Sequence, residues 1–245
     1  MIGAIVVVNE VDAQRWFPQL LPELTRFGVK VAWVLDHCSD ATRATVEAHP
    51  GTVGVSTHER DGELFLERWR QEGLAPLRAV GCNWAMLWDA DDTFTHHAPG
   101  RIRAALEGET RGSAYVRRIS IQREHGVDYV RTDGPFDPRK GGSQVNRVIL
   151  FNLAYELRWM DNITHGAYTF KDGVHTQEVA QVEAYSVHWG LMDRELRESH
   201  KTRWDVNYPA ACGRNPYGLW NYVLDPANTP RLYPLKSWLR THPDQ

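Results

Sequence analysis

Two hydrophobic periods alternate along the first hundred residues. Ile2-Gly-Ala-Ile-Val-Val-Val8 is a nearly continuous β-branched run, the pattern of a strand covered on both faces. Behind it, Trp16, Leu20, Leu24 and Phe27 recur at helical spacing and predict a helix that Gly28 ends. Pro18 and Pro22 lie inside that stretch and predict a kink or a break, because neither has an amide to donate. Val29 to Leu35 predicts a second strand, which ends in the polar stretch Asp36-His-Cys-Ser-Asp40. A helix and a weaker strand, Val53 to Ser56, follow. Helical spacing returns at Leu64, Phe65, Arg68 and Trp69, stops at Gly73, and Pro76 opens another short helix. Trp84-Ala-Met-Leu-Trp88 is an apolar strand that runs directly into Asp89-Ala-Asp-Asp92.

Strand and helix thus alternate, which predicts a largely parallel sheet with helices on both faces. Each polar cluster follows the C-terminal end of a strand, the edge at which open α/β sheets bind ligands. Past Pro99 a helix runs to Gly108, and then the pattern changes. Strands are predicted over 113–121 and 127–131, pairing through Glu124-His-Gly126, then from Arg147 to Phe151 and from Val179 to His188. A polar helix over about 192–204 and a tail rich in proline and aromatics complete the chain. Residues 1–107 and 108–245 are expected as two halves of a single domain.

Composition narrows the class. With 245 residues, 42% hydrophobic and 24% charged, the chain resembles ordinary globular proteins and is neither fibrous nor disordered. No apolar run approaches the ~18 residues of a membrane span, and no basic leader precedes the first strand. Cys38, Cys82 and Cys212 are far apart and form no C-x-x-C, which predicts a reducing, cytoplasmic setting. Charge is uneven. Residues 1–100 carry 8 Lys/Arg against 14 Asp/Glu, and residues 101–245 carry 20 against 17. An acidic first half suits a metal site, and a mildly basic second half suits an anionic ligand or acceptor.

Asp89-x-Asp91, delivered by a buried strand, offers carboxylates to a hard divalent cation whose shell phosphate oxygens and water would complete. Trp88-Asp-Ala-Asp-Asp-Thr93 also fits the D-x-D-x-T string of haloacid-dehalogenase-like phosphatases. In those proteins the motif sits on the first core strand, whereas here three strands precede it and no second acidic pair follows. More of the chain resembles the nucleotide-sugar half of GT-A-fold glycosyltransferases, especially glycosyltransferase family 2. The likeness rests on four ordered features: Asn9-Glu10 after strand one, Asp36-His-Cys-Ser-Asp-Ala-Thr42 after strand two, Arg78 ahead of Gly81-Cys-Asn-Trp84, and the D-x-D. It implies a Rossmann-like, mostly parallel sheet with an acceptor-side extension of mixed strands and helices. It also implies roles: Asn9, Glu10 and Asp36 lining a nucleoside pocket, Arg78 near base or diphosphate, Asp89 near ribose or metal shell, and Asp91 as principal ligand of Mn²⁺ or Mg²⁺.

In the second half, His188-Trp-Gly190 at a strand end resembles the "H-x-G" that completes the metal shell in several GT-A enzymes; a histidine packed on Trp189 is the bland alternative. Lys201 and Arg203, with His200, fit a cationic lid over the donor diphosphate or simply a solvated helix face. One branch of the family carries a glutamate after "H" as catalytic base, but here Gly166 follows His165. Asp161 and His165 are therefore the base candidates, with Asp133 and Asp137 also available. The implied donor is a nucleoside-diphosphate sugar, UDP-linked. Trp159, Trp189, Trp204, Tyr217 and Trp220 suit sugar or base faces, so the acceptor is expected to be a glycan, a protein or a hydroxylated DNA base, as in small phage-type transferases. A nucleotide-sugar- or glycan-binding module without catalysis is the alternative from another class.

Overall fold

The computed structural model describes residues 1–59, 66–132, 147–159, 168–170, 179–190, 195, 196, 198, 202 and 232–241. In chain order the first elements are β1 (Ile2–Asn9), α1 (Glu10–Phe27), β2 (Lys30–Asp36), α2 (Asp40–Glu47), β3 (Thr52–His58), α3 (Leu66–Glu72), α4 (Leu74–Ala79), β4 (Trp84–Leu87), β5 (Asp92–Phe94) and α5 (Ala98–Leu106). Then come β6 (Ser113–Glu124), β7 (Val127–Arg131), β8 (Arg147–Asn152), β9 (Leu157–Trp159), β10 (Tyr168–Phe170), β11 (Val179–His188), β12 (Leu232–Pro234) and α6 (Leu235–Thr241).

Among the described residues, one sheet runs β12-β7-β6-β8-β4-β1-β2-β3, with β11 joined to both β6 and β5. The strands β3, β2, β1 and β4 are parallel, as the alternating pattern predicts. β8 lies antiparallel between β4 and β6, so β6 points the same way as β4, and β11 runs parallel to β6. The sheet therefore continues from the first half of the sequence into the second. β9 and β10 form a separate two-stranded ribbon.

α1 is one unbroken helix with both prolines inside it, where the sequence predicts a kink or break. Its buried residues Ala13, Trp16, Leu20, Leu24 and Phe27 form one face, and Pro18 and Pro22 stand exposed on the other. The carbonyls that the prolines leave unbonded therefore meet water. Asn9 caps its start, and Gly28 ends it in a left-handed conformation that suits a residue without Cβ.

The main core lies between the sheet and α1, α2 and α5, and a second cluster lies under α4. Phe27, Trp88 and Phe94 pack mutually edge-on or tilted, with centroids 4.7 to 4.9 Å apart, beneath the turn that follows β4. No helix among the described residues is long and apolar enough to cross a membrane.

Candidate functional site

β1, β2 and β3 end in one row. Asn9 is the register partner of Asp36, and Asp36 that of His58. The Asn9 side chain accepts from the Asp12 amide and donates to the Asp12 carboxylate, both at 2.9 Å, so it is engaged as a helix cap. Glu10 crosses to the next strand's turn. Its carboxylate accepts from the Ser39 amide and the Thr42 hydroxyl, both at 2.8 Å, and these bonds hold its carboxyl below the ordinary value. Glu10 thus ties the heads of α1 and α2 together. Asp36 is buried, and its Oδ1 lies 2.8 Å from Nδ1 of His37.

The acidic turn is anchored from below. The Trp88 indole is buried and donates to the Asp92 carbonyl at 3.0 Å, and the Asp92 amide donates to the Asp89 carbonyl at 3.0 Å. This fold-back points three carboxylates into a small volume. The Asp89 side chain is 38% exposed, that of Asp91 10%, and that of Asp92 is fully buried. β5 then pairs antiparallel with β11 so that Asp92 and His188 are register partners. Nδ1 of His188 lies 3.2 Å from Asp92 Oδ1 and 3.4 Å from Asp91 Oδ1. Gly190 packs directly against this group: a Cβ there would overlap Asp91 Oδ2 and stand 3.1 Å from both Asp91 Cγ and His188 Cε1. The glycine of the His-Trp-Gly motif is thus the space in which the Asp91 carboxylate lies.

Two arginines balance the acids. Nη2 of Arg118, on β6, donates to Asp92 Oδ2 at 2.5 Å and Asp89 Oδ2 at 2.7 Å, and Arg70, on α3, reaches Asp89 Oδ1 at 3.5 Å. Burial alone would raise the Asp89 carboxyl, but Arg118 and Arg70 outweigh it and hold it below the ordinary value. Asp92 goes the other way, because its complete burial outweighs the pull of Arg118 and His188. Burial would lower His188, yet Asp91 and Asp92 push it up to about 10. Arg118 stays charged despite burial because Asp92 and Asp89 face it.

Asp91, Asp92 and His188 each offer one ligand atom, all within 4.8 Å of one another. Two carboxylates and an imidazole suit a first-row divalent cation, and the space that Gly190 leaves for Asp91 fits such a centre.

Of the residues singled out in the sequence, Asp89, Asp91 and His188 meet here, and Asn9, Glu10 and Asp36 stand along the same strand-end edge. Arg78 does not join them. It donates to the carbonyls of Leu153 and Tyr155, and Leu153 bonds Asn83, the residue ahead of β4, at the opposite edge of the sheet. Asp161, His165, Lys201 and Arg203 lie outside the described residues. Asp92, Arg70 and Arg118 are added by the structure. Arg118 carries half a sign: Arg117-Arg118 interrupts the strand run Ala114 to Ile121, but the sequence does not say which of the two turns inward. Arg70 stands one turn before Gly73 on α3, and nothing in its local pattern marks it.

The sequence matches no protein-family model and no curated protein. The structure is similar to S. aureus TarS 1-349 in complex with UDP, with a TM-score of 0.50 at 12% identity over 76% of this chain and 60% of that one. The chain thus spans about 60% of the length of that solved protein. GalNAc-T7 with UDP, GalNAc and Mn²⁺ gives a TM-score of 0.48 at 8% identity over 77% of this chain and 43% of that one. At 12% identity the likeness to TarS speaks to fold alone. The curled, mostly parallel sheet with its mixed extension is GT-A-like.

Proposed function

We propose that this chain is a metal-dependent glycosyltransferase that moves a sugar from a nucleoside-diphosphate sugar, UDP-linked, to a hydroxyl of a glycan, a protein or a modified DNA base. The observation that carries the reading is the Asp91, Asp92 and His188 cluster at the ligand-binding edge of a GT-A-like sheet. In this reading residues 1–107 hold the donor, residues 108–245 meet the acceptor, and the protein works in the cytoplasm.

Asp91 and His188, with Asp92, would hold Mn²⁺ or Mg²⁺, which when bound supplies positive charge to the diphosphate leaving group. In the transfer the bond from sugar C1 to the diphosphate oxygen breaks, and that oxygen keeps the electron pair. The acceptor oxygen bonds to C1, and its proton passes to a base, for which Asp161 and His165 are the candidates. Asp36 would face the nucleoside and Asp89 the ribose or the metal's outer shell. Arg118 holds Asp89 and Asp92 oriented without a cation from solvent. Arg70 sets a second fixed positive charge beside the acidic turn, which favours a diphosphate there. Lys201 and Arg203 are proposed to add cations over the donor.

The test is thermal stabilisation by UDP with Mn²⁺ or with EDTA, in the wild type and in Asp91→Asn. A ligand at 100 times its dissociation constant adds about 2.7 kcal/mol, which is readily seen as a melting shift. The shift is expected only with Mn²⁺ and only in the wild type. An equal shift in EDTA, or one retained by Asp91→Asn, refutes the metal role. Hydrolysis or transfer of the donor sugar separates the enzyme from a binding module.

A further inference from the structure

We infer that His58 is the residue that reads the nucleobase of the donor, held for that task by Trp69 and Glu72. The inference deepens the donor-site reading above and rests on it. His58 is the last residue of β3 and the register partner of Asp36 on β2. Paired residues on neighbouring strands share a face of the sheet, so the two side chains stand next to each other.

Three contacts fix the histidine. Its imidazole stacks on Trp69, with centroids 4.6 Å apart and an interplanar angle of 14°. Its Nε2 lies 2.9 Å from Glu72 Oε2. Its carbonyl accepts from the His37 amide at 2.9 Å. A polar residue at the end of an edge strand has no packing need for such restraint. The ring is nevertheless not buried: its side chain is 26% exposed, while Trp69 beneath it and Asp36 beside it are each 6% exposed. With Trp69 on one face and Glu72 at Nε2, the other face and the Nδ1 edge have no ring or hydrogen-bond partner among the described residues.

The chemistry of that edge is set by Glu72. A carboxylate only accepts, so Nε2 carries a proton, and in the neutral tautomer this bond selects Nδ1 is an acceptor, with no partner among the described residues. An acceptor edge beside the Asp36 carboxylate suits a base that presents ring or exocyclic N–H groups, and the imidazole face opposite Trp69 suits stacking on that base. The spacing is also appropriate. Trp69 supports the ring, and the next residue on α3, Arg70, reaches Asp89 in the acidic turn. One short helix thus joins a base platform to the phosphate end of the site, in the order base, ribose, diphosphate.

The experiment is calorimetric titration with Mn²⁺ present, using UDP, CDP, ADP, GDP and inorganic pyrophosphate. The wild type is expected to prefer one base. His58→Ala should lower affinity for that nucleotide about tenfold, in line with base-stacking losses on alanine substitution, and leave pyrophosphate affinity unchanged. His58→Phe keeps a stacking face without Nδ1 and should recover part of the loss. His58→Gln keeps a polar side chain facing Glu72 and guards against a mere undocking of α3. Equal losses for nucleotide and pyrophosphate, no loss at all, or a wild type that binds every nucleotide no better than pyrophosphate would each overturn the inference while leaving the metal site standing. A wild type that binds none of the five ligands overturns the donor-site reading itself.

Discussion

Gly190→Ala is the smallest change that tests how the metal cluster is built. It adds one methyl group, and the new carbon would fall on Asp91 Oδ2. Real Cβ atoms do not approach heavy atoms closer than 3.0 Å, so the carboxylate must retreat by about 1 Å or the backbone must shift. A backbone shift would strain the bond from the Trp189 amide to the Asp91 carbonyl, now 3.0 Å. Metal–ligand distances tolerate only about ±0.2 Å, several times less than the displacement required. Loss of a supporting group around a metal centre typically costs roughly 10- to 100-fold in affinity. We therefore expect Mn²⁺ affinity to fall by at least about tenfold in Gly190→Ala, with the larger end of that range reached if Asp91 leaves the shell. Overpacking should also destabilise the fold by roughly 1–3 kcal/mol. Calorimetric Mn²⁺ titration read beside a melting curve separates the two effects. A folded Gly190→Ala variant that binds Mn²⁺ like the wild type would show that Asp91 is not a ligand in this position.

Three further outcomes follow from the same geometry. Asp91 and Asp92 push His188 up to about 10 from 6.5, so its charged ring stabilises the fold fully below about pH 6.5, and that contribution is lost as pH rises toward 10. A ligand imidazole must be neutral, so Mn²⁺ affinity should climb through the same interval, and a flat profile between about pH 6.5 and 9 would count against His188 as a ligand. Arg118→Met should lower stability by about 3–5 kcal/mol in urea titration because it leaves the Asp92 carboxylate buried and without its arginine; a loss under about 1 kcal/mol would mean that Asp92 is neutral in the folded protein. Pro18→Ala restores the amide that the Gln14 carbonyl lacks, on an exposed face of α1. It should raise stability by roughly 1–2 kcal/mol, less than the ~3 kcal/mol host–guest difference because proline also stiffens the unfolded chain; an unchanged urea midpoint would refute that account.

Local periodicity was enough to specify the strands and helices of the first hundred residues apart from β5, and with them the edge at which the parallel strands end; β9, β10, β12 and α6 were not read from it. The β-branched run from Ile2 to Val8, the helical spacing from Trp16 to Phe27 and the apolar strand before Asp89 are local signals, since burial on one or both faces dictates their periods. The positions of Asp91, just after β4, and His188, at the end of β11, were legible as strand ends for the same reason. Local pattern misjudged the prolines of α1, because whether a lost helical bond matters depends on which face of the helix meets water. Which charges share a site was settled in three dimensions alone. Asp92 faces His188 through a strand pairing that spans 96 positions of sequence, and Arg118 enters from β6. Arg78 is close to the acidic turn in sequence, yet α4 and β4 place it at the far edge of the sheet. Arg70 is as local as Arg78 but ends on the correct side, because α3 lies over the strand ends and α4 leads back to the start of β4. A charge–charge contact is a property of distance in space, and the periodicity of a chain records only which side of its own element each residue faces.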